Sequence, residues 1–218
     1  MEQTLSEYEN YIEDRINCVI AGDSFVGKTN LLLRFVDDNY NYDNEYLQTK
    51  GIDIRYKDIT LDDKKYELKL YDTAGQEKFR SAVANCFKQG DCVFLVYEIT
   101  NIKSFKNISN WIKECKNNAS ENVLIVLIGN KCDLKEERQV TTEEGKNLAK
   151  KYEISFYETS AKTGENVQEA FTEFLKNLSV KEIPKEVEEE SNLRKKSYRL
   201  IKNENENENE KDRCCCWC

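Results

Sequence analysis

GDSFVGKT, residues 22–29, follows the short apolar run INCVIA, residues 16–21. Glycine, four residues, glycine, lysine and a hydroxyl residue make the spacing of a loop that wraps phosphate. Gly22 and Gly27 let backbone N–H groups converge on phosphate oxygens. A helix starting just behind them points its positive end at the same place. In such a loop Lys28 reaches the β- and γ-phosphates, and the Thr29 hydroxyl holds Mg²⁺. Position gives the motif its weight: a strand-like run precedes it, and TNLLLRFVD behind it carries apolar residues at helical spacing. Phe25 is bulky for this loop and shapes the mouth of the expected pocket.

Outward from the loop, apolar runs alternate with helical patterns. GIDIRYKDITL and KKYELKLYD alternate in polarity around LDDKK and predict an antiparallel hairpin. CVFLVYEI and NVLIVLIG are nearly continuous apolar runs, as in strands covered on both faces. ISFYETS is a last short strand, and SFKNISNWIKECKNN, TEEGKNLAKKY and NVQEAFTEFLKNL read as helices. The pattern predicts an α/β domain of the P-loop NTPase type. Its six-stranded sheet is mostly parallel, with one antiparallel hairpin strand and helices on both faces. Ligands of such sheets sit beyond the carboxyl ends of the strands, where GDSFVGKT falls.

The 218 residues suit one domain of about residues 14–180 with extensions. Residues 1–13 read as a flexible leader without a secretory signal, which places the chain in a reducing, cytoplasmic compartment. Residues 181–213 hold the single proline and the low-complexity run NENENENE, and read as a disordered linker. Residues 214–218, CCCWC, form a cysteine-rich tail. A net charge of −8 argues against nucleic acid as a partner. The lack of histidine removes Ser-His and Cys-His nucleophile pairs and imidazole zinc sites. Trp111 and Phe105 fit the apolar face of a core helix, and Cys18, Cys92 and Cys132 read as small buried hydrophobes.

Three more motifs fall at strand ends. In YDTAGQE, residues 71–77, Asp72 can orient Mg²⁺, Gly75 can bring a backbone N–H to a terminal phosphate, and Gln76 can orient an attacking water. In NKCD, residues 130–133, the Asp133 carboxylate offers two acceptors to the ring N–H and amino group that guanine presents side by side. Adenine would leave that carboxylate unpaired. The Lys131 stem would pack over the base. SAK, residues 160–162, follows the next strand, and the Ala161 N–H could meet the guanine O6.

GDSFVGKT, Thr49, DTAGQE, NKCD and ETSAK, in this order, resemble the Ras-like small GTPases. Within them KGIDI, YDTAGQEKFR, LVYEIT, NWIKE and the cysteine-rich end are similar to the Rab family. The resemblance covers residues 13 to 180 and the last residues. It implies a G domain that switches between GDP and GTP, hydrolyses GTP with Mg²⁺ as cofactor, and recruits effectors in vesicle traffic. Phosphates and metal then fall to the loop, Gly22, Asp23, Ser24, Phe25, Val26, Gly27, Lys28, Thr29 and Asn30. Thr49 completes the Mg²⁺ set with Thr29 and Asp72, and Gly75 meets the γ-phosphate. Gln76 is implied as the catalytic water-positioning residue, with Lys28 and Thr49 beside it. Asn130, Lys131, Asp133, Ser160, Ala161 and Lys162 match the guanine pocket, and either Tyr40 or Tyr42 packs on the guanine edge.

The resemblance further implies a monomer with an exchange factor, a GTPase-activating protein, a prenylation escort and a GDP-dissociation inhibitor as partners. Cys216 and Cys218 match a CXC ending that carries two lipid groups and ties the chain to the cytoplasmic face of a membrane. The chain departs from the family at Phe25, at Lys50, and in the long segment DDNYNYDNEYLQT. A surface aromatic triad of the family falls at Ile54, Tyr71 and Cys86, with one aromatic left. Two other readings stay open on the residues: a P-loop ATPase, against which NKCD speaks, and a GTP-holding module with little or no hydrolysis.

Overall fold

The computed structural model describes residues 14–37, 40, 49, 51–61, 64–75 and 80–178. The chain divides into two units, Met1–Leu175 and Lys176–Cys218. The architecture below is that of the first; of the second only residues 176–178 are described.

The elements run β1 (Asp14–Gly22), α1 (Lys28–Val36), β2 (Ile52–Leu61), β3 (Lys64–Thr73), α2 (Arg80–Phe87), β4 (Cys92–Glu98) and α3 (Ile102–Asn118). Then follow β5 (Leu124–Asn130), a 3₁₀ turn (Lys135–Glu137), α4 (Thr142–Tyr152), β6 (Ser155–Thr159) and α5 (Val167–Leu178). The six strands lie in the order β2-β3-β1-β4-β5-β6. β2 is antiparallel to β3, from Ile52 opposite Thr73 to Leu61 opposite Lys64, and the other pairings are parallel. The expected hairpin and mostly parallel sheet are both present. Asp62 and Asp63, which follow Leu61 in sequence, lie outside the described residues.

β4 and β5 are apolar along nearly their whole length because both faces are covered. On one face Val93, Leu95, Tyr97 and Leu127 pack with Val83 and Phe87 of α2 and with Ile108, Trp111, Ile112 and Cys115 of α3. On the other, Phe35 of α1 stacks on Phe171 of α5 with centroids 4.7 Å apart, and Phe94 of β4 lies 4.4 Å from Phe171. Each such buried ring contributes about 1.5–3 kcal/mol. The scattered cysteines, Cys18, Cys86, Cys92, Cys115 and Cys132, are all buried, and burial pushes their thiols up. They behave as small hydrophobes.

Local chemistry sets the helix starts. The Asn101 side chain accepts from the N–H groups of Lys103 and Ser104 and starts α3. Thr141 and Glu144 form a reciprocal capping box that starts α4. α2 has no counterpart in the sequence reading: eight residues with serine and asparagine among them carry too little periodicity to stand out. The aromatic-triad positions differ in exposure, although Ile54 lies directly across from Tyr71 in the β2–β3 register. Ile54 is 42% exposed, whereas Tyr71 and Cys86 are buried at 6% each. Ile52, Ile54 and Tyr56 alternate along edge strand β2 and form the exposed apolar stripe instead.

Candidate functional site

β1 has β3 on one side and β4 on the other, so chain connections diverge at its carboxyl end. A crevice opens where the strand order reverses, and the loop of residues 22–29 enters there. Gly27 has φ 90°, in the left-handed region, and a Cβ there would lie 2.4 Å from Asn130 Nδ2. Phe25 also sits at positive φ, 70°, without glycine's freedom, and its side chain is 61% exposed. An exposed aromatic thus stands on the outer side of the loop.

Lys28 opens α1 and is 6% exposed. Its Nζ donates to the carbonyl oxygens of Gly22 at 2.9 Å and Asp23 at 2.7 Å. Burial lowers its pKa to about 8, against the opposing pull of Asp72 and Asp23. Val26 is buried, and its carbonyl accepts from Asn130 Nδ2 at 2.8 Å, which ties the loop to the end of β5. Ser24 and Asn30 are half-buried on either side.

Three oxygens meet beside Lys28. Thr29 Oγ1 lies 2.6 Å from Asp72 Oδ2 and 2.6 Å from Thr49 Oγ1, and Thr49 Oγ1 lies 3.2 Å from Asp72 Oδ2. The other carboxylate oxygen, Asp72 Oδ1, is buried without a hydrogen-bond partner. Burial raises the Asp72 pKa, while Thr29, Lys28 and Thr49 oppose the shift. An orphaned buried carboxylate oxygen beside two hydroxyls fits a hard divalent cation such as Mg²⁺, which takes oxygen ligands. Asp72 reaches this spot because β3 pairs with β1 in a register that sets Asp72 opposite Ile20. Thr73 Oγ1 locks that register by donating to the Ile20 carbonyl at 2.7 Å.

A second cluster forms at the ends of β5 and β6. Ser160 Oγ donates to Asp133 Oδ1 at 2.6 Å, and Ala161 N–H and Thr159 Oγ1 each reach Asn130 Oδ1 at 3.4 Å. Lys131 holds a positive φ of 67°, and its Nζ lies 2.8 Å from Glu98 Oε2. Arg34 of α1 spans to this cluster, donating to the carbonyls of Ala161 at 2.9 Å, Lys162 at 3.0 Å and Tyr40 at 2.8 Å. Its guanidinium lies 4.8 Å from the Tyr40 ring centroid.

The structure thus gathers Gly22 to Asn30, Thr49, Asp72 and Gly75 at one end of the sheet, with Asn130, Lys131, Asp133, Ser160, Ala161 and Lys162 at the same end. Gln76, Tyr42, Lys50, Cys216 and Cys218 lie outside the described residues. Several participants had no motif to announce them. Arg34 looks like any basic residue of an amphipathic helix. Glu158, half-buried at the end of β6 just before Ser160 and Ala161, pairs with Arg138 through two bonds of 2.5 and 2.9 Å, a fork that braces this loop. Asn107 and Trp111 of α3 both donate to Asp23, although the helix reads from sequence as core packing alone.

A sequence model of the Ras family matches residues 17–180. The bovine Ras-related protein Rab-13 is 44% identical over 163 residues, covering 75% of this chain and 79% of the relative. The human Ras-related protein Rab-8B is 45% identical over 163 residues, covering 75% and 78%. The Ras-related protein Rab-8 of Diplobatis ommata is 45% identical over the same length, covering 75% and 77%. With the phosphate-type loop, the oxygen cluster at Asp72 and the Asn130–Asp133 cluster in place at one sheet end, the chain belongs to the Ras family, as a Rab-like small GTPase that hydrolyses GTP in vesicle traffic.

Proposed function

We propose that the GTP or GDP phosphates lie over residues 22–30, with Mg²⁺ held by Thr29, Thr49 and Asp72 and the base against Asn130, Asp133 and Ala161. The observation that carries this is the convergence of the Thr29, Thr49 and Asp72 oxygens beside buried Lys28. Bound Mg²⁺ would neutralise charge on the β- and γ-phosphate oxygens. Lys28 binds the same oxygens, and Asn130 fixes the phosphate loop relative to the base loop through Val26. Lys131 covers the base with its stem while Glu98 holds its ammonium, and Tyr40 lies on the Arg34 side of the base. Thr49 and Gly75 sense the γ-phosphate, and Gln76 orients the attacking water. Released γ-phosphate frees the segments carrying Thr49 and Gln76, and effectors read the difference.

Turnover tests the site. Purified protein with Mg²⁺ is expected to hydrolyse GTP slowly, and Gln76→Leu to slow single-turnover hydrolysis by roughly 10²-fold, the scale of a misplaced reactant. Equal rates for the two proteins would remove Gln76 from the mechanism.

The apolar stripe of Ile52, Ile54 and Tyr56 on β2 supports a protein partner at that edge. No helix among the described residues is long and apolar enough to cross a membrane. Attachment is assigned to lipid on Cys216 and Cys218. One chain holds a membrane marginally and two hold it stably. In cell fractionation, Cys216→Ser with Cys218→Ser is expected to move the protein from the membrane pellet to the supernatant. A pellet fraction equal to that of the parent would refute the anchor.

A further inference from the structure

Asp23 poses an electrostatic problem. It is a carboxylate in a loop read as a seat for phosphate, and like charges there repel. Its position leaves little room for escape by backbone movement. The Asp23 carbonyl accepts the Lys28 ammonium at 2.7 Å. On the other side Gly75 packs so closely that a Cβ at that residue would lie 2.4 Å from the Asp23 carbonyl carbon and 2.5 Å from Ser24 N. With the peptide held on both sides, only the side chain can turn.

It turns toward α3, and both oxygens are occupied there. Asn107 Nδ2 donates to Asp23 Oδ2 at 2.7 Å, and Trp111 Nε1 donates to Asp23 Oδ1 at 2.9 Å. The two donors stand four residues apart, on one face of a single helix. Trp111 is 3% exposed, so its indole is held by the core behind it and cannot follow the carboxylate elsewhere. Both donors are neutral. They stabilise the anion without adding a cation that would compete with Lys28 for phosphate.

We propose that Asn107 and Trp111 are positioning residues that hold the Asp23 charge against α3 and away from the terminal phosphate. This rests on the nucleotide reading of the loop and adds to it a cause of selectivity between triphosphate and diphosphate. Asn107 and Trp111 do not touch the nucleotide. They act through Asp23. When they are lost, the carboxylate is free to swing toward the ligand, and the ligand with more negative charge suffers more.

The test is made on the full chain with Mg²⁺, measuring GTP and GDP dissociation constants at low and high salt. Trp111→Phe keeps an aromatic ring in the core and removes the N–H, and Asn107→Leu removes the other donor at similar size. The double variant is expected to lose about tenfold or more in GTP affinity, the scale of a lost hydrogen bond to a charged group. GDP affinity should fall by less, and added salt should narrow the gap. Adding Asp23→Asn to the double variant should restore GTP binding to within a few-fold of the parent, because the repelling charge is gone. Trp111→Phe alone should show the same pattern at smaller amplitude and serves if the double variant does not fold. Equal losses for GTP and GDP, with no recovery on adding Asp23→Asn, would reduce Asn107 and Trp111 to packing residues. Unchanged GTP and GDP affinities in a folded double variant would overturn the proposal outright. If the parent itself bound neither nucleotide, the reading of the site would fall first and this inference with it.

Discussion

Asp133→Ala is expected to abolish the preference for GTP over ATP. One Asp133 oxygen accepts the Ser160 hydroxyl at 2.6 Å, which fixes the carboxylate plane at the end of β5. A fixed carboxylate can accept from two adjacent N–H groups, and guanine offers that pair on one edge. Adenine offers an acceptor in place of the ring N–H and would leave a carboxylate oxygen unpaired. Sites built on such pairing discriminate by about 10⁴–10⁵. The alanine variant should therefore lose GTP affinity by about 10³ or more and bind ATP and GTP within roughly tenfold of each other. Competition titration against a fluorescent guanine nucleotide measures both values. A variant that still excluded ATP by three orders of magnitude would put base recognition on some other group.

Lys28→Met should have the second largest effect and should separate binding from stability. Removing one partner of a buried, hydrogen-bonded charge pair costs about 2–5 kcal/mol, or roughly 30- to 5,000-fold in nucleotide affinity. The pH dependence identifies the charge. With only protein groups around it, Lys28 titrates near 8, against an unfolded value of 10.5. Between these limits the unfolded chain binds more protons at this residue than the folded one. Stability of the nucleotide-free protein therefore rises with pH across that window, by at most about 1.4 kcal/mol per pH unit from Lys28. The methionine variant lacks this term, so the stability difference between parent and variant should shift in the parent's favour from pH 8 to 10. Phosphate stabilises the charged ammonium, so nucleotide affinity of the parent should fall as pH climbs through about 8. Denaturant titrations at several pH values read the first effect, and equilibrium binding reads the second. Parallel pH profiles for parent and variant would deny Lys28 the buried charge assigned to it.

Lys28, Thr29, Asp72, Asn130 and Asp133 stand in short motifs whose spacing carries their chemistry, so a reader of the sequence finds them. Arg34, Asn107 and Trp111 do not. Their donors meet partners far along the chain, as when Trp111 reaches Asp23. Nothing in the local pattern of an amphipathic helix distinguishes a tryptophan that only packs from one that also donates a hydrogen bond. The same limit explains the aromatic triad. Alignment by motif assigns three surface positions, but burial depends on which helix covers the sheet, and Tyr71 and Cys86 are buried at the side of the sheet where α2 packs.

By itself the sequence determined the α/β class, the antiparallel hairpin, the phosphate-type loop and the order of the motifs. Those features are encoded over spans of four to eighteen residues, where periodicity, turn chemistry and glycine placement act locally. Only the tertiary structure decided that the Thr29, Thr49 and Asp72 oxygens converge, that Lys28 is buried, and that α3 turns the Asp23 carboxylate toward itself. These depend on strand register and on which helix covers which face. Such contacts form only when distant segments are packed together and water is excluded from between them.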